Sequence, residues 1–276
     1  MNWEILNVEK SDIVKIWDIV CENKWTGYSI EDLYYIFRIS PQCCYKLMVD
    51  GTIAGGIFGT LEGGKLCISF FCIQSSKRVF SSSVRLGESI LKYAKKHAPY
   101  TMTYANQKMI RIYKRFGFVE ECYIENFVVQ KLCEKYVEQP YIQEVTREIL
   151  AQDKDIFHYV LNKSCFQEYF AYSNARCYIY KSNQGLGYVF SRSQGEKIIG
   201  PLVADNDEIA KSLLIHCMRN IGEYTVFGTR DVVKVLFDPS IFSLKETKVK
   251  VLKMTLGEST FQDARMKLVG GHHFIS

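Results

Sequence analysis

Two stretches of the 276-residue chain read alike at a spacing of 132 residues and without a gap. Tyr45 meets Cys177, Gly55 meets Gly187, Gly63 meets Gly195 and Lys65 meets Lys197. Each stretch holds strand-sized apolar runs, and the first is broken by Asp50-Gly51 and Gly63-Gly64, dipeptides suited to tight reversals, so each reads as a three-stranded meander. A repeat of this size implies a diverged tandem duplication and two domains of ordinary length, each able to bury its own core.

The remaining elements follow from periodicity. Residues 3–8 read as a strand. Ser11 is placed to cap an amphipathic helix whose apolar positions Ile13, Ile16, Trp17 and Val20 recur at helical spacing, and a second helix lies near 31–38. After the first meander (45–50, 52–61, 66–73) come a helix over 82–97, a strand over 100–104, a helix over 107–115 and a closing pair of strands within 118–132. Residues 134–143 are charged and contain Pro140, which sets a boundary between a first domain over 1–135 and a second over 144–276. There the pattern restarts with helices over 146–172, strands over 177–180, 185–193 and 196–204, and a helix over 207–221. The expected fold class is α/β (α+β): two domains, each a mixed, mostly antiparallel sheet flanked by helices.

Composition removes several classes. With 47% hydrophobic and 24% charged residues the chain is not a disordered one. Its longest apolar runs, 68–73 and 198–204, fall far short of the roughly 20 residues that span a bilayer. Met1-Asn2-Trp3-Glu4 opens without a basic segment and apolar stretch, so a cytoplasmic protein with no membrane partner is expected. Ten cysteines show neither CxxC nor Cys/His spacing suited to zinc, which points to reduced, buried thiols and no metal.

The net charge of +5 is too mild to imply nucleic acid, but its distribution is informative. Residues 74–115 carry ten bases (Lys77, Arg78, Arg85, Lys92, Lys95, Lys96, Lys108, Arg111, Lys114, Arg115) against Glu88 alone, a local +9. The corresponding residues 205–237 carry four bases and five acids, a balance of −1, with Asp205, Asp207 and Glu208 at the start of the helix. Carboxylates there satisfy the helix dipole and repel a phosphate. Ile90-Leu91 and Leu213-Leu214 are offset by 123 rather than 132, so the second half is nine residues shorter near that point. An anion site built once, in the first half, is the expectation.

Within the basic segment, Asn106 is suited to cap a helix, Met109 and Ile112 to pack it, and Gly117 to end it before Phe118. This run, with an apolar residue at plus three from Asn106, Tyr113 at plus seven and Gly117-Phe118 at plus eleven and twelve, resembles motif B of the Gcn5-related N-acetyltransferase (GNAT) superfamily. The element order over residues 3–132 is similar as well. The resemblance implies acetyl-CoA as co-substrate, seated between the end of the meander and the next helix. Motif A of the family, Gln/Arg-x-x-Gly-x-Gly/Ala, corresponds to Arg78-Val79-Phe80-Ser81-Ser82-Ser83, with serine at both small positions. Serine stays small and adds a hydroxyl able to donate to a phosphate oxygen. By the same resemblance Phe71, Cys72 and Ile73 offer a strand edge to the pantetheine arm, Asn106 borders the cofactor, and Tyr113 protonates the departing sulfur. The implied reaction is direct attack by an amine of a small molecule or peptide in a ternary complex.

Candidates for the general base are Glu62, Glu125 and the pair His272-His273, and Cys72 reads as a core residue rather than a nucleophile. The aromatic residues Phe166, Tyr169, Phe170, Tyr172, Tyr178 and Tyr180 read as packing. The second half lacks motif B, since residues 231–239 contain neither the tyrosine nor Gly-Phe, and it resembles the degenerate C-terminal domain of tandem GNAT proteins. Two other functions share the implied fold: a catalytically silent acyl-CoA-binding protein and an aminoacyl or longer-acyl transferase. A homodimer is compatible with any of these.

Overall fold

The computed structural model describes residues 2–24, 29–62, 64–131, 140–146, 176–192, 197–218, 222–258 and 266–268. The chain forms two compact units, Met1–Glu121 with Leu252–Thr260, and Cys122–Val251 with Phe261–Ser276.

In the first unit, strand β1 (Trp3–Asn7) pairs antiparallel with β2 (Cys44–Val49), and β2 with β3 (Thr52–Glu62) and β3 with β4 (Lys65–Ile73) complete the meander. Strand β5 (Tyr100–Ala105) lies parallel to β4 and antiparallel to Leu252–Gly257, the end of the long strand β12 (Phe242–Gly257). Helices α1 (Ile13–Glu22) and α2 (Ile30–Ile39) precede the meander, while α3 (Phe80–His97) and α4 (Gln107–Arg115) flank β5 in sequence. Alternation in β3 separates the faces. Ile57 packs with Leu86 and Ile90 of α3, and a Cβ on the neighbouring Gly56 would meet Ile16 of α1 on the other side.

The second unit pairs strands in the order β7 (Ile142–Glu144), β8 (Arg176–Ser182), β9 (Gly185–Arg192) and β10 (Ile198–Ala204), with β11 (Glu223–Gly228) parallel to β10. Strand β6 (Val119–Lys131) pairs with β11, and β13 (Met266–Leu268) pairs with β10. Helices α5 (Asp207–Cys217) and α6 (Arg230–Leu236) complete it, and Leu213, Leu214, Val233 and Leu236 share a core with Phe127, Val189 and Val226.

The repeat is structural. Strands β2, β3 and β4 superpose by number on β8, β9 and β10 at the spacing of 132. Its shared glycines do the same work: a Cβ on Gly55 would stand 2.5 Å from the carbonyl oxygen of Cys72, and one on Gly187 would stand 3.0 Å from that of Val203, so both let the third strand approach.

Several expectations change. The start of α1 is not capped by Ser11. A 3₁₀ turn, Lys10–Asp12, precedes it, and the Asp12 carboxylate accepts from the amide of Glu9 at 2.7 Å and from Lys46 at 2.6 Å. The closing pair of strands is one strand, β6, most of which lies in the second unit, whereas the first unit is completed by the end of β12. The expected boundary near 135–144 therefore separates halves of the sequence, not the compact units. The helix after β10 ends at Cys217, and the helices expected over 146–172 lie outside the described residues. No helix among the described residues is long and apolar enough to cross a membrane.

Candidate active site

Strands β4 and β5 form a wedge. Their parallel register runs from Lys65↔Tyr100 to Ile68↔Thr103 and stops there, although β4 continues to Ile73 and β5 to Ala105. On its other side β4 stays with β3 to the end, Ile73 against Gly55, and the amide of Gln74 donates to the carbonyl of Ala54 at 2.8 Å. Backbone alternation then turns Cys72 toward β3, and Phe71 and Ile73 toward the side where β5 has departed. Of the three expected edge residues, two therefore present backbone groups to the wedge. The Ile73 carbonyl is already taken, by Arg78 NH2 at 3.0 Å and Asn23 Nδ2 at 3.3 Å. The Cys72 thiol is buried, and burial pushes it up to about 12, so it is a packing group and not a thiolate.

Tyr113 stands at the apex of this wedge. Helix α4 spans the expected residues and is capped by Asn106, whose side chain accepts from the amides of Lys108 at 3.1 Å and Met109 at 3.2 Å. With its start fixed, the helix turns Tyr113 inward, edge-on to Phe71 (6.3 Å between ring centroids) and Phe118 (5.3 Å). The Thr103 hydroxyl, which donates to the carbonyl of Ile68 at 3.0 Å, neighbours the phenol and acts to lower its pKa against the larger effect of burial. Ile68 and Thr103 are the last pair of the ladder. Burial pushes the Tyr113 phenol up to about 12, so it keeps its proton at neutral pH. Thr103 was invisible in the sequence because a threonine in a β-strand needs no special reason.

The loop from β4 to α3 carries motif A. Arg78 folds back onto the strand end. Val79 is the N-cap of α3 and offers no side-chain acceptor; the amides of Ser82 and Ser83 donate to its carbonyl at 3.1 and 3.3 Å, and among the described residues no side chain caps those of Phe80 and Ser81. Ser82 does not face outward: its hydroxyl accepts from the amide of Val79 at 3.3 Å and donates to the Val79 carbonyl at 2.6 Å. Ser83 is buried, where a small residue is needed, and Ser81 is exposed. Phe80 is the first helical residue. Lys77 and Arg85 form no ion pair with a described carboxylate, and Arg85 lies 5.1 Å over the Trp3 ring. Glu22 comes from α1 and accepts from Ser75 at 2.7 Å, which with Arg78 holds its carboxyl below the usual range.

Glu62 pairs in register with Lys65, at the end of the meander opposite the α3 N-terminus. Glu125 belongs to the second unit, where it contacts Arg230 at 3.0 Å and Lys250 at 2.9 Å. Burial raises its carboxyl, but those two cations outweigh burial and hold it below the usual value, which weakens it as a base. His272 and His273 lie outside the described residues, as do Phe166, Tyr169, Phe170 and Tyr172; Tyr178 and Tyr180 are core residues. No metal-ligating group of three or more side chains occurs among the described residues.

In the second unit the equivalent features are closed. Strands β10 and β11 pair in parallel at Ile198↔Thr225 and Ile199↔Val226, and beyond that point β13 lies against β10, Leu202↔Leu268 and Val203↔Met266. At the spacing of 132, Leu202 and Val203 correspond to Phe70 and Phe71. Two residues, not six, join strand to helix. Asn206 caps α5 by accepting from the amide of Ile209 at 2.9 Å, Asp207 and Glu208 fill its first turn, and Asp205 accepts from the amide of Leu186 at 2.8 Å.

Comparison with known proteins places this geometry. Residues 163–268 match the family model described as acetyltransferase (GNAT) domain. No curated protein matches the sequence significantly. Among solved structures, a candidate acetyltransferase from Pyrococcus horikoshii is similar over 98% of this chain and 95% of its own, at 17% identity and a TM-score of 0.80. A GCN5-related N-acetyltransferase from Anabaena variabilis matches over 92% of this chain and 72% of its own, at 12% identity and a TM-score of 0.58. A tandem GNAT protein from the clavulanic acid biosynthesis pathway, solved without acetyl-CoA, matches over 94% of this chain and 100% of its own, at 12% identity and a TM-score of 0.58. The family model falls on the second half, whereas the motif resemblance falls on the first.

Proposed function

From the premise that this chain carries the tandem GNAT fold, we propose that it is an acyl-CoA-dependent N-acetyltransferase with one active site, in the first unit. The observation that carries the reading is the wedge between β4 and β5, with a protonated tyrosine at its apex and an uncapped helix N-terminus at its mouth.

The amides of Phe80 and Ser81 and the Ser81 hydroxyl receive the pyrophosphate of acetyl-CoA, with Lys77 and Arg85 neutralising its charge. The backbone of Phe71 and the amide of Ile73, whose carbonyl is already engaged, pair with the pantetheine arm, and an amide on that edge donates to the carbonyl oxygen as attack makes it an oxyanion. The acceptor amine attacks in its neutral form. The new C–N bond forms as the C–S bond breaks, Tyr113 gives its proton to the departing sulfur, the amine's surplus proton leaves to solvent, and Tyr113 takes a proton back from solvent. The reading takes small-molecule or peptide amines as acceptors in the cytoplasm. It is supported there by the eight described cysteines, all of them free thiols. A second reading, acyl-CoA binding without turnover, is favoured by the position of Glu62, which lies at the opposite end of the meander from the wedge.

Isothermal titration with acetyl-CoA, followed by an amine screen for thiol release, separates them. The enzyme binds one equivalent and releases CoA with some amine; binding with no release across the screen identifies the silent protein.

A further inference from the structure

The loop between β4 and α3 is tied to the end of α1, some fifty residues earlier in the chain. Asn23, the C-cap of α1, donates from Nδ2 to the carbonyl of Ile19 at 2.8 Å and to that of Ile73 at 3.3 Å. Its Oδ1 accepts from NH2 of Arg78, and the same nitrogen of Arg78 donates to the Ile73 carbonyl at 3.0 Å. The two hydrogens of that nitrogen are thus both committed, one to Asn23 and one to the last strand residue. Two positions past Ile73, Ser75 donates to Glu22 at 2.7 Å.

This arrangement gives Arg78 a task other than the one its motif position suggests. A cation acting only as a phosphate ligand has no use for a side-chain amide that fixes half of its fork, whereas one that holds the loop to the strand end does. The six residues 74–79 set the direction in which the first-turn amides of α3 point, and a loop already ordered pays less on binding than one ordered by the ligand. We infer that Asn23 is a positioning residue of the acyl-CoA site. Through Arg78 and the Ile73 carbonyl it orients the amides of Phe80 and Ser81 toward the pyrophosphate, those of Ser82 and Ser83 being held by the Val79 carbonyl. The inference deepens the proposed function and rests on it.

The test uses Asn23→Ala, Arg78→Ala and the double variant in the full chain. Two readouts are taken: hydrogen exchange of the amides of residues 80–83 without ligand, and affinity for acetyl-CoA beside acetyl-pantetheine, which lacks the pyrophosphate. Each single variant is expected to speed exchange at 80–83 and to weaken acetyl-CoA about tenfold, with acetyl-pantetheine unchanged and the double variant no worse than either single one. Wild-type exchange and affinity in Asn23→Ala, or single effects that multiply in the double variant, overturn it. Should Asn23→Ala fail to fold, Arg78→Ala decides: weaker binding with unchanged exchange makes Arg78 a direct ligand and overturns the role of Asn23, while faster exchange supports it. A wild-type protein that binds no acetyl-CoA refutes the proposed function, and the exchange arm alone then judges Asn23 as the loop's anchor.

Discussion

The two units share a meander and part company at its third strand. In the first, β4 outruns β5, a six-residue loop follows, and the next helix starts at a valine that cannot cap it. In the second, β13 takes up the edge of β10, two residues reach the helix, and Asn206 with two acids satisfies its N-terminus. Strand edges and helix ends leave backbone groups that must find partners. The second unit supplies those partners from its own chain, whereas in the first the proposed ligand, which combines an amide-bearing arm with a polyanion, would supply them. Whether a unit of this fold can take acyl-CoA therefore turns on how it settles a few unpaired backbone groups, more than on the sheet itself.

The largest effect expected concerns the apex, which has no counterpart in the second unit. Tyr113→Phe keeps the ring packing and removes the proton; kcat falls about 10²-fold, within the range for loss of a general acid, while acetyl-CoA affinity stays within twofold. Unchanged turnover in stopped-flow or steady-state thiol release removes the acid role. Next comes a variant that makes the first unit resemble the second. Ser81→Asp puts a carboxylate in the first turn of α3, as Asp207 does in α5, and weakens acetyl-CoA about tenfold through repulsion and competition for the amides. Wild-type affinity by titration breaks the comparison.

How much of this was legible in advance differs between the same regions. The spacing of 132 marked both meanders, and residues 107–115 form the expected helix because cap, periodicity and terminating glycine all act locally. Pairing across long separations was not legible. An apolar run at 118–132 looks like a strand, but nothing in it says that it pairs with β11, or that the first unit is closed by residues 252–257. Nor does Met266-Lys267-Leu268 announce that it lies on β10. At the site, the serines were visible but not that Ser82 spends its hydroxyl inside the turn, and Asn23 looked like any polar residue after a helix. The family model and the motif each mark one half, as expected of a duplication whose halves kept different features.

Smaller effects sharpen the contrast. Thr103→Val removes the hydroxyl beside the Tyr113 phenol at the wedge apex; kcat is expected to fall several-fold at constant KM, and a fall in affinity alone contradicts a role beside the acid. In the second unit, Asn206→Ala removes a cap and lowers stability by about 1 kcal/mol in denaturant titration, with acetyl-CoA affinity untouched. The smallest is a pH effect. Because Lys250 and Arg230 outweigh burial and hold Glu125 below its ordinary value, its ion pairs stabilise the protein above about pH 4.5 and are lost as pH falls through the lowered value. Glu125→Gln flattens that acid limb of the stability curve and leaves the neutral-pH activity profile unmoved; a changed activity profile would restore Glu125 as a base.

The most direct measurement is hydrogen exchange of the full chain with and without saturating acetyl-CoA, read at the two third strands and the helices that follow them. One equivalent of ligand is predicted to slow exchange at residues 71–73 and 80–83 and to leave 202–203 and 207–210 as they were. Slowing at the second set, or at both, would contradict a site built in the first unit alone.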